Sequence, residues 1–303
     1  VTGVSSLTIS GEASVTTLDI GGTDVTSTAA ELNVLDGALK ENSSIWIGND
    51  PSSTTNSAEN NLAVGVSALS SVTTGDNITA MGYRALKNNT TGSENIAIGY
   101  EALRDNVSDV GNVAVGYQSM QDANGAEYNT AVGNNALRGT TDTDITGDEN
   151  VAIGAGSMKF NIAGAQNTAV GRSSLYTNTS GLNNTALGYQ SLLSNTTGDN
   201  NTGVGHKTLN ANTTGIRNIA IGSNAYDAAD TESDNLAIGY DALGGSIAGG
   251  RFNVAIGNWS LDANTSGDHN TAVGYNALSA NTTGNGNTAS GVYALHTNTT
   301  GDY

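Results

Sequence analysis

Residues 270–286 read NTAVGYNALSANTTGNG, and Asn287 begins the same phrase again. The phrase is Asn, any residue, Ala, an aliphatic, Gly, then a small residue with Leu, then Asn-Thr-Thr-Gly. Its central glycine recurs fourteen times, from Gly65 through Gly82, Gly99 and Gly116 to Gly274 and Gly291. The spacing is 17 residues, apart from a step of 21 before Gly154 and one of 18 before Gly257. A fixed period over most of a chain marks one structural unit stacked many times.

Numbered from its Asn, the repeat has Asn at position 1 in thirteen of fourteen copies, with Ile78 the exception. Position 3 is Ala, except for Gly203. Position 4 is aliphatic or Met until Ser290, and position 9 is Leu, Met or Tyr throughout. No apolar stripe at helical spacing runs through a copy. Positions 2 to 5 alternate large and small, which is strand logic. Asn-Thr-Thr-Gly is turn chemistry, with Gly expected at positive φ. The reading is all-β: a parallel β-solenoid of fourteen 17-residue coils, each with about two short strands and two turns. Ladders of Asn at position 1, Ala at 3, aliphatics at 4 and Leu at 9 follow from stacking. Positions 4 and 9 are expected to fill the core. Position 3 would line a tight interior or face a neighbouring chain. The longer steps imply loops near Asp142–Asp148 and near Gly250.

Residues 1–43 read as a connector. Leu7 and Ile9, then Leu18 and Ile20, alternate as in short strands. Thr28 to Glu31 is a capping box that predicts a short helix near 28–36, stopped by Gly37. Residues 44–303 form the shaft. Within it, 44–60 is a degenerate capping coil, with Gly48 in register and Trp46 where Ala is usual. The chain starts and stops mid-pattern, at Val1 and Tyr303, as a piece of a longer protein would.

Of 303 residues, 40 are Gly, 1 is Pro and none is Cys; the net charge is −18. Ten scattered Lys and Arg give no basic face, which argues against a nucleic-acid partner. Without Cys there are no disulfides or thiolate metal sites. No apolar run is long enough to span a membrane as a helix. With two large apolar side chains per coil set against the entropy of ordering seventeen residues, a single rod looks thinly stabilised. A homotrimer about an axis parallel to the solenoid is therefore expected.

The Asn-x-Ala-Val/Ile-Gly phrases, as at 95–99 and 150–154, resemble the repeats of YadA-like heads of trimeric autotransporter adhesins. That resemblance implies a trimeric β-roll. The stretch TAAELNVLDG at 28–37, with the repeats, resembles tail-fibre and other fibrous virion proteins of marine bacteriophages. What it implies is a structural shaft in a virion tail fibre. Such a shaft would present a receptor-binding tip and partner with itself and with other fibre or baseplate proteins. The alternative is a bacterial cell-surface adhesin head that binds host glycan or matrix.

No catalytic grouping appears, so no enzyme and no cofactor is expected. His206, His269 and His296 fall at positions 6, 17 and 10 and share no ladder. Turn acids such as Asp76, Asp148, Glu149, Asp199 and Asp268 read as solvated carboxylates, with weak Ca²⁺ binding as the sharper option. Tyr83, Tyr100, Tyr117, Tyr189, Tyr240 and Tyr275 share position 6. They read as corner-packing aromatics, or as an interrupted strip of lateral sugar contacts. The Asn-Thr-Thr turns match the glycosylation sequon, read here as turn composition. Their paired Thr also resemble the arrays of ice-binding solenoids, but they lie in a turn rather than on a flat strand.

Overall fold

The computed structural model describes residues 18–20, 23–25, 38–41, 43–48, 57–140, 143–228, 230–245 and 250–302. The short helix expected near 28–36, the Leu7 and Ile9 strand and Pro51 lie outside these residues. β1 (Leu18–Ile20) and β2 (Thr23–Val25) form a separate antiparallel pair. β3 (Ala38–Glu41) runs antiparallel to β4 (Ser44–Ile47), so the large sheet already begins within the expected connector. From β4 onward every strand pairs in parallel with the next, through β5 (Leu62–Val64) to β18 (Thr288–Ser290). These fifteen parallel strands make a solenoid whose register places Ala on Ala and each position 4 on the next. At about 4.8 Å per coil the stack is ~67 Å long.

Each coil carries one three-residue strand, not two. The reason lies in the backbone. Residues at positions 7, 9 and 17 adopt left-handed φ near +50° to +60°, as at Gln190, Leu192 and Asn200. A strand cannot continue through such residues. Positions 7–13 still bond coil to coil, as when Leu192 N–H donates to Thr208 O at 2.9 Å. The glycine of Asn-Thr-Thr-Gly is not the left-handed residue. Gly is favoured there because a Cβ would strike the carbonyl of the equivalent residue one coil on, as Gly75 would at Gly92, although Asp109, Ala126 and Glu232 hold the same position in other coils. The position 5 glycines carry φ of +123° to +141° and have the same close neighbour, except the last, Gly291.

The core also differs from expectation. Positions 3, 8 and 9 fill it, as Ala186, Ser191 and Leu192 show, together with the Asn of positions 1 and 12. Position 4 does not. With strand residues alternating in direction, inward Ala at position 3 forces positions 2 and 4 outward. Trp46, at position 3 of the first coil, is 0 % exposed, as a cap residue should be.

Two buried Asn ladders replace much of the missing apolar bulk. At position 1, Asn184 Oδ1 accepts the Asn201 N–H at 2.9 Å, and its Nδ2 donates to Gly198 O at 2.8 Å. At position 12, which reads in sequence only as a turn residue, Asn195 Nδ2 donates to Asn178 Oδ1 at 2.9 Å and to Gly198 O at 3.0 Å. Backbone groups that no strand could reach are thereby satisfied.

The four-residue excess before Gly154 is a narrower bulge than expected. Thr140 and Thr143 bridge antiparallel, and Ile145 returns to the core as the parallel bridge partner of Ala123. Asp148 already sits in the regular turn, accepting the Glu127 N–H at 2.8 Å. Near Gly250, residues 246–249 lie outside the described residues.

Candidate functional surfaces

Positions 2 and 4 present an apolar stripe along the outer face of the sheet. Ile45, Ile47, Met81, Ile96, Ile98, Ile153, Val170, Ile219, Ile221 and Val273 are each 36–47 % exposed, and they recur from one end of the rod to the other. A stripe of this extent is unusual for a free surface. Burying the remaining exposed area of each would contribute about 0.6–1 kcal/mol, scaled from the value for full burial. Ten such side chains give about 6–10 kcal/mol per protomer.

The position 6 tyrosines meet only in part. Tyr83, Tyr100 and Tyr117 stack with centroids 5.3 and 5.2 Å apart and planes within 20° and 9°. Tyr189 stacks on His206 instead, while Tyr240 and Tyr275 are joined edge-on through Trp259. The outer face of Tyr83 carries the Arg84 guanidinium at 4.8 Å. Faces of the central rings are thus covered by one another, and a sugar stacks on a face. The row is open mainly at its ring edges.

The turn acids have structural partners. Asp199 Oδ1 accepts the Leu182 N–H at 2.7 Å, and Asp76 and Asp268 do the same for Glu59 and Arg251. Each carboxylate thereby fastens one turn to the turn before it. Among the described residues no three His, Cys, Asp or Glu side chains gather as metal ligands. Of the asparagines in these turns, Asn89, Asn178, Asn195, Asn212, Asn264 and Asn281 are buried in the position 12 ladder, where a glycosyl group has no access, whereas Asn298 in the last coil is only partly covered.

One concave site escapes the sequence entirely. A cleft of about 470 Å³ is walled by positions 7, 10 and 11 of successive coils and lined as well by Thr140, Thr143 and Asp144. Glu101 is buried at its side, held by Gln121 Nε2 at 2.9 Å, Gln118 Nε2 at 3.1 Å and the Arg84 and Arg104 guanidinia at 3.4 Å. Arg104 also pairs with Asp105. Arg138 Nε donates to Gln121 Oε1 at 3.0 Å. Asp122 is 6 % exposed and lines the cleft. Its Oδ1 lies 3.4 Å from Arg104 Nη2, while Oδ2 has no donor among the described residues. Burial pushes the Asp122 carboxyl up to about 6, against the lowering pull of Arg138 and Arg104. The only hint of this cleft in the sequence is the coincidence of the 21-residue step with charged residues at positions 10 and 11. The chain matches no protein-family model, no curated protein and no solved structure.

Proposed function

We propose that the chain is a rigid structural shaft, a homotrimeric segment of a virion tail fibre that holds a receptor-binding tip away from the particle. The apolar stripe of positions 2 and 4 carries this reading. It repeats at every coil height up to the last, where Thr288 and Ser290 replace it, so copies set side by side around a common axis would match like with like along almost all of the rod. Stable interfaces bury upwards of about 1,200 Å² in total, a scale that a stripe of this length can supply. The Asn ladders and interlocked glycines supply stiffness, since among the described residues successive coils are bonded to one another along the stack. Its partners are then two further copies, with other fibre or baseplate proteins at the ends. Negative-stain images of the full chain test the proposal. Rods about 67 Å long, set by the coil spacing, with three-fold end views support it. Thin single rods with no end-on symmetry overturn it.

A further inference from the structure

The cleft beside Thr140, Thr143 and Asp144 is built unlike the rest of the described rod. Elsewhere positions 10 and 11 are mostly small or uncharged, as Ser70 and Ser71 or Ser279 and Ala280 show. Here they are Arg104, Asp105, Gln121, Asp122 and Arg138, and Thr140, Thr143 and Asp144 complete the lining. A shaft needs none of this. A carboxylate oxygen that is buried and left without a donor is a cost the fold carries with no structural return.

We infer that this cleft is a lateral binding site for a neutral pyranoside, in which Asp122 accepts from one sugar hydroxyl and the Arg138 guanidinium donates to its neighbour. Three observations converge. The walls alternate acceptors and donors on planar side chains, and a vicinal pair of hydroxyls answers such a pattern because each hydroxyl both donates and accepts. The volume, about 470 Å³, lies within the range of small-ligand sites and suits a sugar unit. Finally, Arg104 and Arg138 disfavour a cation despite the four carboxylates, while those carboxylates disfavour an anion. Thr140 and Thr143 add hydroxyls to the lining. This site draws on positions 7, 10 and 11, beyond the glycine corner from the apolar stripe, so it is independent of the trimeric shaft.

The test is saturation-transfer NMR on the full chain with the methyl glycosides of glucose, galactose, mannose and fucose. Together these present both equatorial–equatorial and axial–equatorial hydroxyl pairs. Saturable binding of at least one, with affinity lowered about tenfold or more in Arg138→Gln, is expected from the loss of a charge-assisted hydrogen bond. Asp144→Asn, on the exposed rim, gives a second variant whose folding is not in question, and it should weaken binding by a smaller factor. A blank with all four glycosides overturns the inference. So does affinity unchanged in both variants, or saturable binding of methylammonium or Ca²⁺ in place of the sugars. The mass of the same sample, measured separately, reports on the shaft, so the two readings fail independently.

Discussion

Asn184 sits mid-rod in the position 1 ladder and offers the sharpest perturbation. Its Oδ1 takes the Asn201 N–H at 2.9 Å and its Nδ2 reaches Gly198 O at 2.8 Å, all out of contact with water. Asn184→Ala orphans the buried Asn201 N–H, while Gly198 O keeps the Asn195 amide as its one remaining donor. At about 1–3 kcal/mol for an unmet buried group, the loss is about 1–3 kcal/mol. Asn184→Asp separates shape from charge. The carboxylate keeps the acceptor for Asn201 but turns its second oxygen toward the Gly198 carbonyl. Only the protonated acid can donate there. Its folded pKa is therefore raised above the unfolded value of about 3.9. A raised pKa gives a contribution that is present in full below the unfolded pKa and lost as pH rises through the folded one. Relative to the unsubstituted chain, Asn184→Asp should thus be strongly destabilised at neutral pH and recover as the solution is acidified. Urea unfolding followed by circular dichroism reads the stability, and hydrogen exchange at the Asn201 amide reads the local break. Both variants within about 0.5 kcal/mol of the parent, the scale of an ordinary surface change, would refute the ladder as a stabilising element. So would an Asn184→Asp deficit that does not change with pH.

Within the fourteen full copies Gly203 is the one position 3 residue that is not Ala, and Thr208 stands at position 8 beside it. A Cβ on Gly203 would lie 2.5 Å from Ser191 Oγ and 3.0 Å from Thr208 Oγ1. Gly203→Ala alone should therefore destabilise despite restoring the repeat consensus, while Gly203→Ala with Ser191→Ala, which removes the nearer oxygen, should recover most of the loss in a double-mutant cycle. Leu192→Ala removes a fully buried side chain and should cost about 2–5 kcal/mol by urea unfolding. Burial raises the Asp122 carboxyl to about 6, so its charged form opposes folding. This group's contribution is present in full below pH ~4 and is lost as pH rises through about 6. Asp122→Asn should then be more stable than the parent at pH 8, and the advantage should vanish near pH 4. Ile98→Asp with Ile221→Asp, both on the outer stripe, should leave the unfolding of a single rod nearly unchanged but dissociate the trimer in sedimentation.

The period is enough to read the solenoid and its length, because stacked copies constrain one another and the glycine spacing records the register directly. The direction of the side chains was harder. Val and Ile at position 4 look like core residues by hydropathy, yet Ala at position 3 decides the matter, since only a small side chain fits the narrow interior between coils. Asn195 was read as a turn residue for the same reason: hydropathy does not register that a buried amide can satisfy backbone groups above and below it. Left-handed Leu192 and Gln190 carry no local signature, because these residue types adopt that backbone only under the pull of coil-to-coil bonds. The cleft combines residues 101 to 144 from successive coils, so no single copy of the repeat contains it.

The measurement that bears most directly on the trimeric shaft is the mass of the full chain in solution, by light scattering across a dilution series. The account predicts three times the 30.5 kDa of one chain, about 92 kDa, persisting on dilution. A mass that stays at 30.5 kDa at every concentration would contradict it, and would mean that the apolar stripe remains uncovered in the native protein.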